Sequence, residues 1–441
     1  MRVLILIMLT AGVFMPPTAL FASPEKNTAD AAAVGLAVPA LSESGLSLQQ
    51  AERLALERDS VRKSFKQQEK AFKEQARAAD TWADPKIKLG AQAVPVDSFD
   101  LQQEAMTQLI VGYQQMLPRG DSLTHASEAM LAMSRTQTAR AQQRERLVLM
   151  KVRQAWLDVV LQKKTLDIIQ ENRVLFEQML DISQSFYAAG RQQQQDVVQA
   201  ELEISLVDDR LEQARSELVV AEANLAKWVG QENMLYGVAT EQANLRLPGL
   251  PEMVEMQRRL ENNPELIAMR ELVISQQKKL ALADDQYSPQ WGFDINYGSR
   301  SGNNPDGSER SDFLTAMVTF DLPIFTENKQ DRTLSAEKQR LQATRYQQLD
   351  VKRLLLKRLQ AVLGRLKKLK DRHMLYKNKV LPQAVQNAEV SLSGYQSGVV
   401  SFFTLTRARV TELNTRLADL QISVAYNKML AELKYLIGEK S

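Results

Sequence analysis

Apolar residues recur every three or four positions over most of this chain, the spacing that builds one face of a helix. The longest such segment, Asp121 to Ala189, contains no glycine or proline over about 69 residues. A helix there, rising about 1.5 Å per residue, would reach roughly 100 Å. A return helix is expected from about Gln192 to Val229. Others are expected over about Leu48 to Trp82, Met253 to Asp285 and Val400 to Ile437, and from about Asn328 onward. Pro382 should kink or break that last one, because proline lacks an amide hydrogen and its ring crowds the preceding turn.

Four short stretches instead alternate with a period of two: Lys86 to Val94, Met106 to Met116, Gln290 to Tyr297 and Phe313 to Leu322. In the third, Trp291, Phe293, Ile295 and Tyr297 fall on one side, and Gly292, Asp294 and Asn296 on the other. In the fourth, Leu314, Ala316, Val318, Phe320 and Leu322 oppose Thr315 and Thr319. In the first, Ile87, Leu89 and Ala91 alternate with Lys86, Lys88 and Gln92. A half-buried soluble sheet and a membrane-facing wall both give this alternation.

The chain also repeats itself. Tyr187-Ala188-Ala189-Gly190 matches Tyr395-Gln396-Ser397-Gly398, 208 residues on. The same offset carries Ala200 to Ala408, Leu225 to Leu433, and Gly230 to Gly438. Earlier parts match at a slightly different offset. Leu56 to Asp59 precedes Ala83-Asp84-Pro85, and Leu260 to Asn263 precedes Tyr287-Ser288-Pro289. Leu117-Pro118 ends one strand pair and Leu322-Pro323 the other. Each half reads as helix, two strands, very long helix, sharp turn, return helix. We divide the chain into 47–250 and 251–441 on this basis. The expected fold is mainly α with a small β part. The return helix and the helix before the next strand pair are expected to stack end to end beside the long helix.

Four strands cannot close a barrel, and lipid does not tolerate two open edges. If the strands enter a membrane, several chains must share one barrel, and three chains would supply twelve strands. The long helices would then continue from that ring as a tube.

The 441 residues are 44% hydrophobic and 25% charged, so a core can form. A net charge of +3 gives no global attraction to nucleic acid. Residues 1–22, with Arg2 followed by the apolar run Val3 to Met15, have the form of a signal peptide cut after Ala22. Residues 23–46 are expected to form a loose leader. The absence of cysteine excludes disulfides and an acylated lipoprotein anchor.

The doubled Tyr-x-x-Gly turns and closing glycines carry a resemblance. So do Asn262-Asn263-Pro264-Glu265-Leu266, Pro289 before an aromatic strand, and Leu381-Pro382 upstream of Tyr395. In this order they resemble the TolC family of outer-membrane factors over nearly the whole mature chain. The resemblance implies a homotrimer with a twelve-stranded barrel in outer-membrane lipid and a periplasmic α-barrel. It implies a tip that meets a periplasmic membrane-fusion adaptor and, through it, an inner-membrane RND-type transporter. Ala83-Asp84-Pro85 through Gln115-Met116-Leu117-Pro118 looks most like the branch that exports heavy-metal cations.

On this resemblance Tyr187, Gly190, Arg191, Tyr395 and Gly398 form the periplasmic tip turns, and Gly230 and Gly438 close the repeats. Asp196, six residues after Gly190, is a candidate for an acidic pore gate; a first-turn aspartate favoured by the helix dipole is the plainer reading. Its counterpart is Thr404, with Arg407 three further on, so a doubled acidic ring is in doubt.

Lys352 to Lys379 is strongly basic, but aromatic stacking partners are nearly absent, which argues against single-stranded nucleic acid. A solvated helix face or an adaptor-docking belt remains. His125 and His373 stand alone, and scattered methionines such as Met106, Met116, Met253 and Met256 read as packing residues rather than copper ligands. No zinc spacing, phosphate loop or nucleophile elbow is present, so neither enzyme chemistry nor a cofactor is expected. The competing readings are a soluble periplasmic coiled-coil scaffold, and a duct of the same type for drugs or for type I protein secretion.

Overall fold

The two halves fold into the same order of elements, with long helices and return helices of matching length. The computed structural model describes residues 45–235, 237–239 and 252–438. The signal segment, the leader up to residue 44 and the junction at 250/251 lie outside the described residues. In the first half the helices are α1 (Leu48–Arg58), α2 (Ser60–Ala79), α3 (Ser122–Ala188) and α4 (Gln194–Val229), with strands β1 (Lys86–Gln92) and β2 (Gln108–Met116). In the second they are α5 (Met253–Leu260), α6 (Pro264–Asp284), α7 (Gln330–Leu375), α8 (Leu381–Gln396) and α9 (Phe402–Ile437), with β3 (Trp291–Ser299) and β4 (Phe313–Phe320). The segment from Gln330 to Gln396 equals α3 in residue count, and α4 and α9 have 36 residues each. The 208-residue offset therefore holds to the residue through the long helices and their returns.

α3 is a single helix of 67 residues, as the absence of breakers predicts. Its residues Trp156, Leu157, Val159 and Val160 are all buried, because α3 packs on α2 and α4 and also on α6 and α9. A helix surrounded in this way shows no single polar face. Its counterpart is continuous in direction but not in type. A π turn, Tyr376–Val380, joins α7 to α8 immediately before Pro382. The wider turn accommodates the missing proline amide and the bulk of its ring without ending the helix.

The opening helices are both broken where a single helix was expected. Asp59 and Asn263 occupy equivalent places, and each caps the helix that follows. The Asp59 carboxylate accepts from the Arg62 amide at 2.6 Å and from Arg144 of α3, the Nη2 contact being 2.8 Å. The Asn263 side-chain oxygen accepts from the Glu265 amide at 2.9 Å, and its Nδ2 donates to the Leu436 carbonyl at 2.8 Å.

These contacts correct the expected stacking. Each return helix ends against the opening helix of its own half, not of the next. α9 meets α6 through Asn263, and α4 meets α1 through a parallel bridge between Leu46 and Val238 and an ion pair of Arg58 with Glu232 at 2.5 Å. Leu46 and Gly45 are buried, so the leader ends earlier than residue 46. The four strands form one antiparallel sheet in the order β1-β2-β3-β4. The β2–β3 pairing, with Tyr113 opposite Ile295, joins the halves.

Burial pushes the Asp59 carboxyl up, but its bonds from Arg144 and the Arg62 amide and the two nearby cations outweigh this and hold it below the usual carboxylate range. A depressed carboxyl stabilises the fold above its unfolded pKa and loses that contribution as pH falls through the folded value. Asp59→Ala should therefore destabilise the chain by about 2 kcal/mol at neutral pH through the lost cap and the stranded Arg144. In acid the variant and the parent should converge, as measured by denaturant melts across pH.

Candidate functional site

Two regions draw the chemistry-bearing residues together: the sheet and the turns at the far end of the long helices. In the sheet, register decides which side each residue takes. Ile87 pairs with Tyr113, Tyr113 with Ile295, and Ile295 with Ala316. Leu89, Val111, Tyr297 and Leu314 align in the same way. One side of all four strands is thus apolar, and its large side chains are exposed, Leu89 at 77% and Leu314 at 75%. The other side carries Gly292, Asp294, Asn296 and Gly298, of which Gly292, Asp294 and Gly298 are buried. There Lys88 forms an ion pair with Asp294, and Asn296 also donates to that carboxylate. This is the reverse of a soluble sheet, where the apolar side is covered and the polar side faces water. Strands of 7, 9, 9 and 8 residues approach the 9–11 that a tilted transmembrane strand needs. Trp82, Phe325 and Ile324 extend the exposed apolar surface where the strands meet the helices.

At the opposite end the two turns are built alike. Gly190 donates to the Tyr187 carbonyl at 2.9 Å and Arg191 to Phe186 at 2.9 Å. Gly398 donates to Tyr395 at 3.0 Å and Val399 to Gly394 at 2.9 Å. Both are Schellman closures with the glycine left-handed, at φ 69° and 77°. Nothing lies within 4 Å of a Cβ placed on either, so backbone conformation alone requires glycine.

The side chains of the two turns differ. Tyr395 is fully buried, while Tyr187 is 48% exposed. The Tyr395 ring lies between Phe186 and Phe402, at centroid distances of 5.7 and 5.4 Å. Its hydroxyl is 3.1 Å from Ser183 Oγ and donates to Asp196 at 3.4 Å. Asp196 therefore turns toward the helix interface between the two halves and is only half-exposed. Burial pushes its carboxyl above the usual range, against the lowering effect of the Tyr395 hydrogen bond. Thr404 holds the equivalent third position of α9, where its amide is capped by Ser401 Oγ at 3.3 Å. Thr404, Arg407 and Arg191 are exposed. Gly230 and Gly438 close α4 and α9 at φ 97° and 73°. A Cβ there would press on Glu232 and Arg58, or on the Arg146 guanidinium.

Ser183, Phe186 and Phe402 had no signal in the sequence, since their roles arise only when α3 meets α8 and α9. His125 and His373 each face one carboxylate, Asp285 at 2.8 Å and Asp419 at 3.1 Å. No group of three or more metal-ligating side chains occurs among the described residues. Nor is any described helix long and apolar enough to cross a membrane.

A family model described as outer membrane efflux protein matches residues 52–231 and 256–439. The fold is similar to that of CusC, with a TM-score of 0.74 at 15% identity over 89% of this chain and 92% of that one. It is also similar to the outer membrane protein VceC of Vibrio cholerae, with a TM-score of 0.70 at 16% identity over 89% and 96%. The open state of the Neisseria gonorrhoeae MtrE outer membrane channel gives 0.71 at 15% over 89% and 88%. No curated protein matches the sequence.

Gly190→Ala and Gly398→Ala should each cost about 1 kcal/mol, because an L side chain is strained at these φ values. Thermal melts would show it, and Gly190→Asn should cost less. The tip also has a signed pH response. Protonation relieves the cost of partly burying Asp196, so the tip should tighten as pH falls through the raised value toward the ordinary carboxylate range, and stay looser above it. Asp196→Asn should remove that dependence. Tyr395→Phe should weaken the tip by about 1 kcal/mol, read as faster amide exchange at the helix ends after correction for intrinsic rates.

Proposed function

Because this chain belongs to the outer membrane efflux protein family, we propose that three copies assemble into a passive exit duct that passes cargo across the outer membrane. The exposed apolar side of the sheet carries this reading. It extends over all four strands, and none of the described helices covers it. A soluble scaffold would leave that contiguous apolar surface in water, and such surfaces mark contact with a partner or a membrane. The sheet also has two free edges, on β1 and β4. In an up-and-down order of four strands these edges run antiparallel, so β4 of one copy can continue into β1 of the next. Three copies close a ring of twelve strands, with Lys88, Asp294 and Asn296 facing the lumen.

The helices then continue as a tube on the periplasmic side, ending at the Gly190 and Gly398 turns. In this arrangement the tip docks a periplasmic membrane-fusion adaptor and, through it, an inner-membrane RND-type transporter. The protein supplies no chemical step. The Tyr395–Asp196 contact holds the end of the tube together, and the pump supplies energy and selection. We assign heavy-metal cations as the cargo, on the likeness of Ala83–Pro85 and Gln115–Pro118 to that branch of the family.

Detergent extracts of outer membranes should yield a trimer that conducts ions in planar bilayers; recovery as a soluble monomer would overturn the duct. Deleting the gene should lower tolerance to a divalent metal or copper, with recovery on re-expression. Tolerance unchanged for every such metal removes the cargo assignment and leaves the duct. Ile295→Lys, a cation on the lipid side, should cost about 2–4 kcal/mol if the site lies near the bilayer midplane, and should deplete the trimer from the membrane.

A further inference from the structure

The internal duplication leaves two helix faces without the cover that their counterparts have. On α3, Met150, Leu157 and Val160 are buried. The residues 208 positions on in α7 are Arg358, Arg365 and Lys368, all exposed, and Arg372 continues the same three-four spacing. On α9, Val424 and Ala431 are buried and Lys428 holds Asp158 of α3 in an ion pair. Their α4 counterparts, Ser216, Ala223 and Val220, are exposed, and Leu206 and Asp209 extend that exposed stripe. One uncovered face is basic. The other is apolar and acidic, with Asp209, Glu212 and Glu217 along or beside it.

We infer that the basic stripe of α7 is the seat for α4 of a second copy of this chain, in the register that α9 takes on α3. This rests on the trimeric reading above and adds which faces meet and where. Two contacts set the register. Asp158 lies level with Lys428, and the Arg146 guanidinium lies against Gly438. Shifted by the repeat offset, Leu366 of one copy lies level with Val220 of the next, and Leu354 with Gly230. Arg372 then faces Glu212, and Lys368 faces Glu217. Glu217 has no ion-pair partner among the described residues, and Glu212 has only Arg215 on its own exposed helix face. Lys368 has only the long 3.9 Å contact to Asp371, and Arg372 has none among the described residues. The residues used lie before the π turn, so the helical phase of α3 still applies. Opposite charges at matched heights fix register by penalising slipped alignments, where like charges meet.

The chain has no cysteine, so introduced pairs report on contact directly. In the full-length protein in detergent, Lys368→Cys with Glu217→Cys should form disulfide-linked trimers on non-reducing gels. Lys368→Cys with Asn224→Cys, two turns out of register, should not. Lys368→Glu with Arg372→Glu should lower the trimer's resistance to denaturing detergent, raising its dissociation about tenfold. Adding Glu212→Lys and Glu217→Lys should restore it. Cross-linked trimers from the displaced cysteine pair alone overturn the seam, and so does a four-residue swap no better than either half. A reversal that leaves the trimer intact while abolishing adaptor capture assigns the stripe to the adaptor and also overturns it. A wild-type chain that is monomeric in the same detergent overturns the trimer itself.

Discussion

An unpaired strand edge cannot be left in lipid, because no water is present to satisfy its amides and carbonyls. The other features of this chain follow from that constraint. Four strands with an apolar side outward and two free edges are unstable in a bilayer and poorly soluble in water. Closure by further copies removes both problems at once. It also sets the number and spacing of the helices below, since each pair of strands feeds one pair of long helical rods. In the proposed ring, the polar side, with Lys88 and Asp294 paired, would line the enclosed lumen.

Much of this was legible in the sequence, because period and punctuation are local. The period-two alternation identified which side chains share a face, and the strand bounds moved by only a few residues. The uninterrupted run from Asp121 gave α3 its length. The breaks at Asp59 and Asn263 were not seen as breaks. Asp59 has no neighbouring glycine or proline, and its capping role is fixed by Arg144, 85 residues away. The pairing of return helices with opening helices was misjudged for a related reason. Length made both pairings possible, and only the Asn263–Leu436 and Leu46–Val238 contacts choose between them. The tip was half legible: the glycine turns announce themselves, but the burial of Tyr395 against Ser183 and Asp196 depends on packing between halves.

Duplication has not made the halves equivalent. The first half places a carboxylate at the third position of its return helix and leaves its turn tyrosine exposed. The second places a threonine there, caps the helix with Ser401, and buries its tyrosine. Each difference compensates the other: the buried hydroxyl of one half finds its acceptor in the other. A ring of identical halves would lack that donor–acceptor match, so divergence after duplication gave the tip a contact that neither half makes alone.

The π turn before Pro382 gives this asymmetry a further dimension. The two long rods contain the same number of residues, yet they are not the same ruler. Residues in a wider turn advance less along the axis and rotate less about it. Below Pro382 the second rod is therefore slightly shorter, and its side chains are turned relative to those of the first. The rods behave like the two scales of a vernier, coincident near the sheet and out of step at the periplasmic end. In the proposed trimer, three such pairs would come close to sixfold symmetry at the membrane and keep only threefold symmetry at the tip.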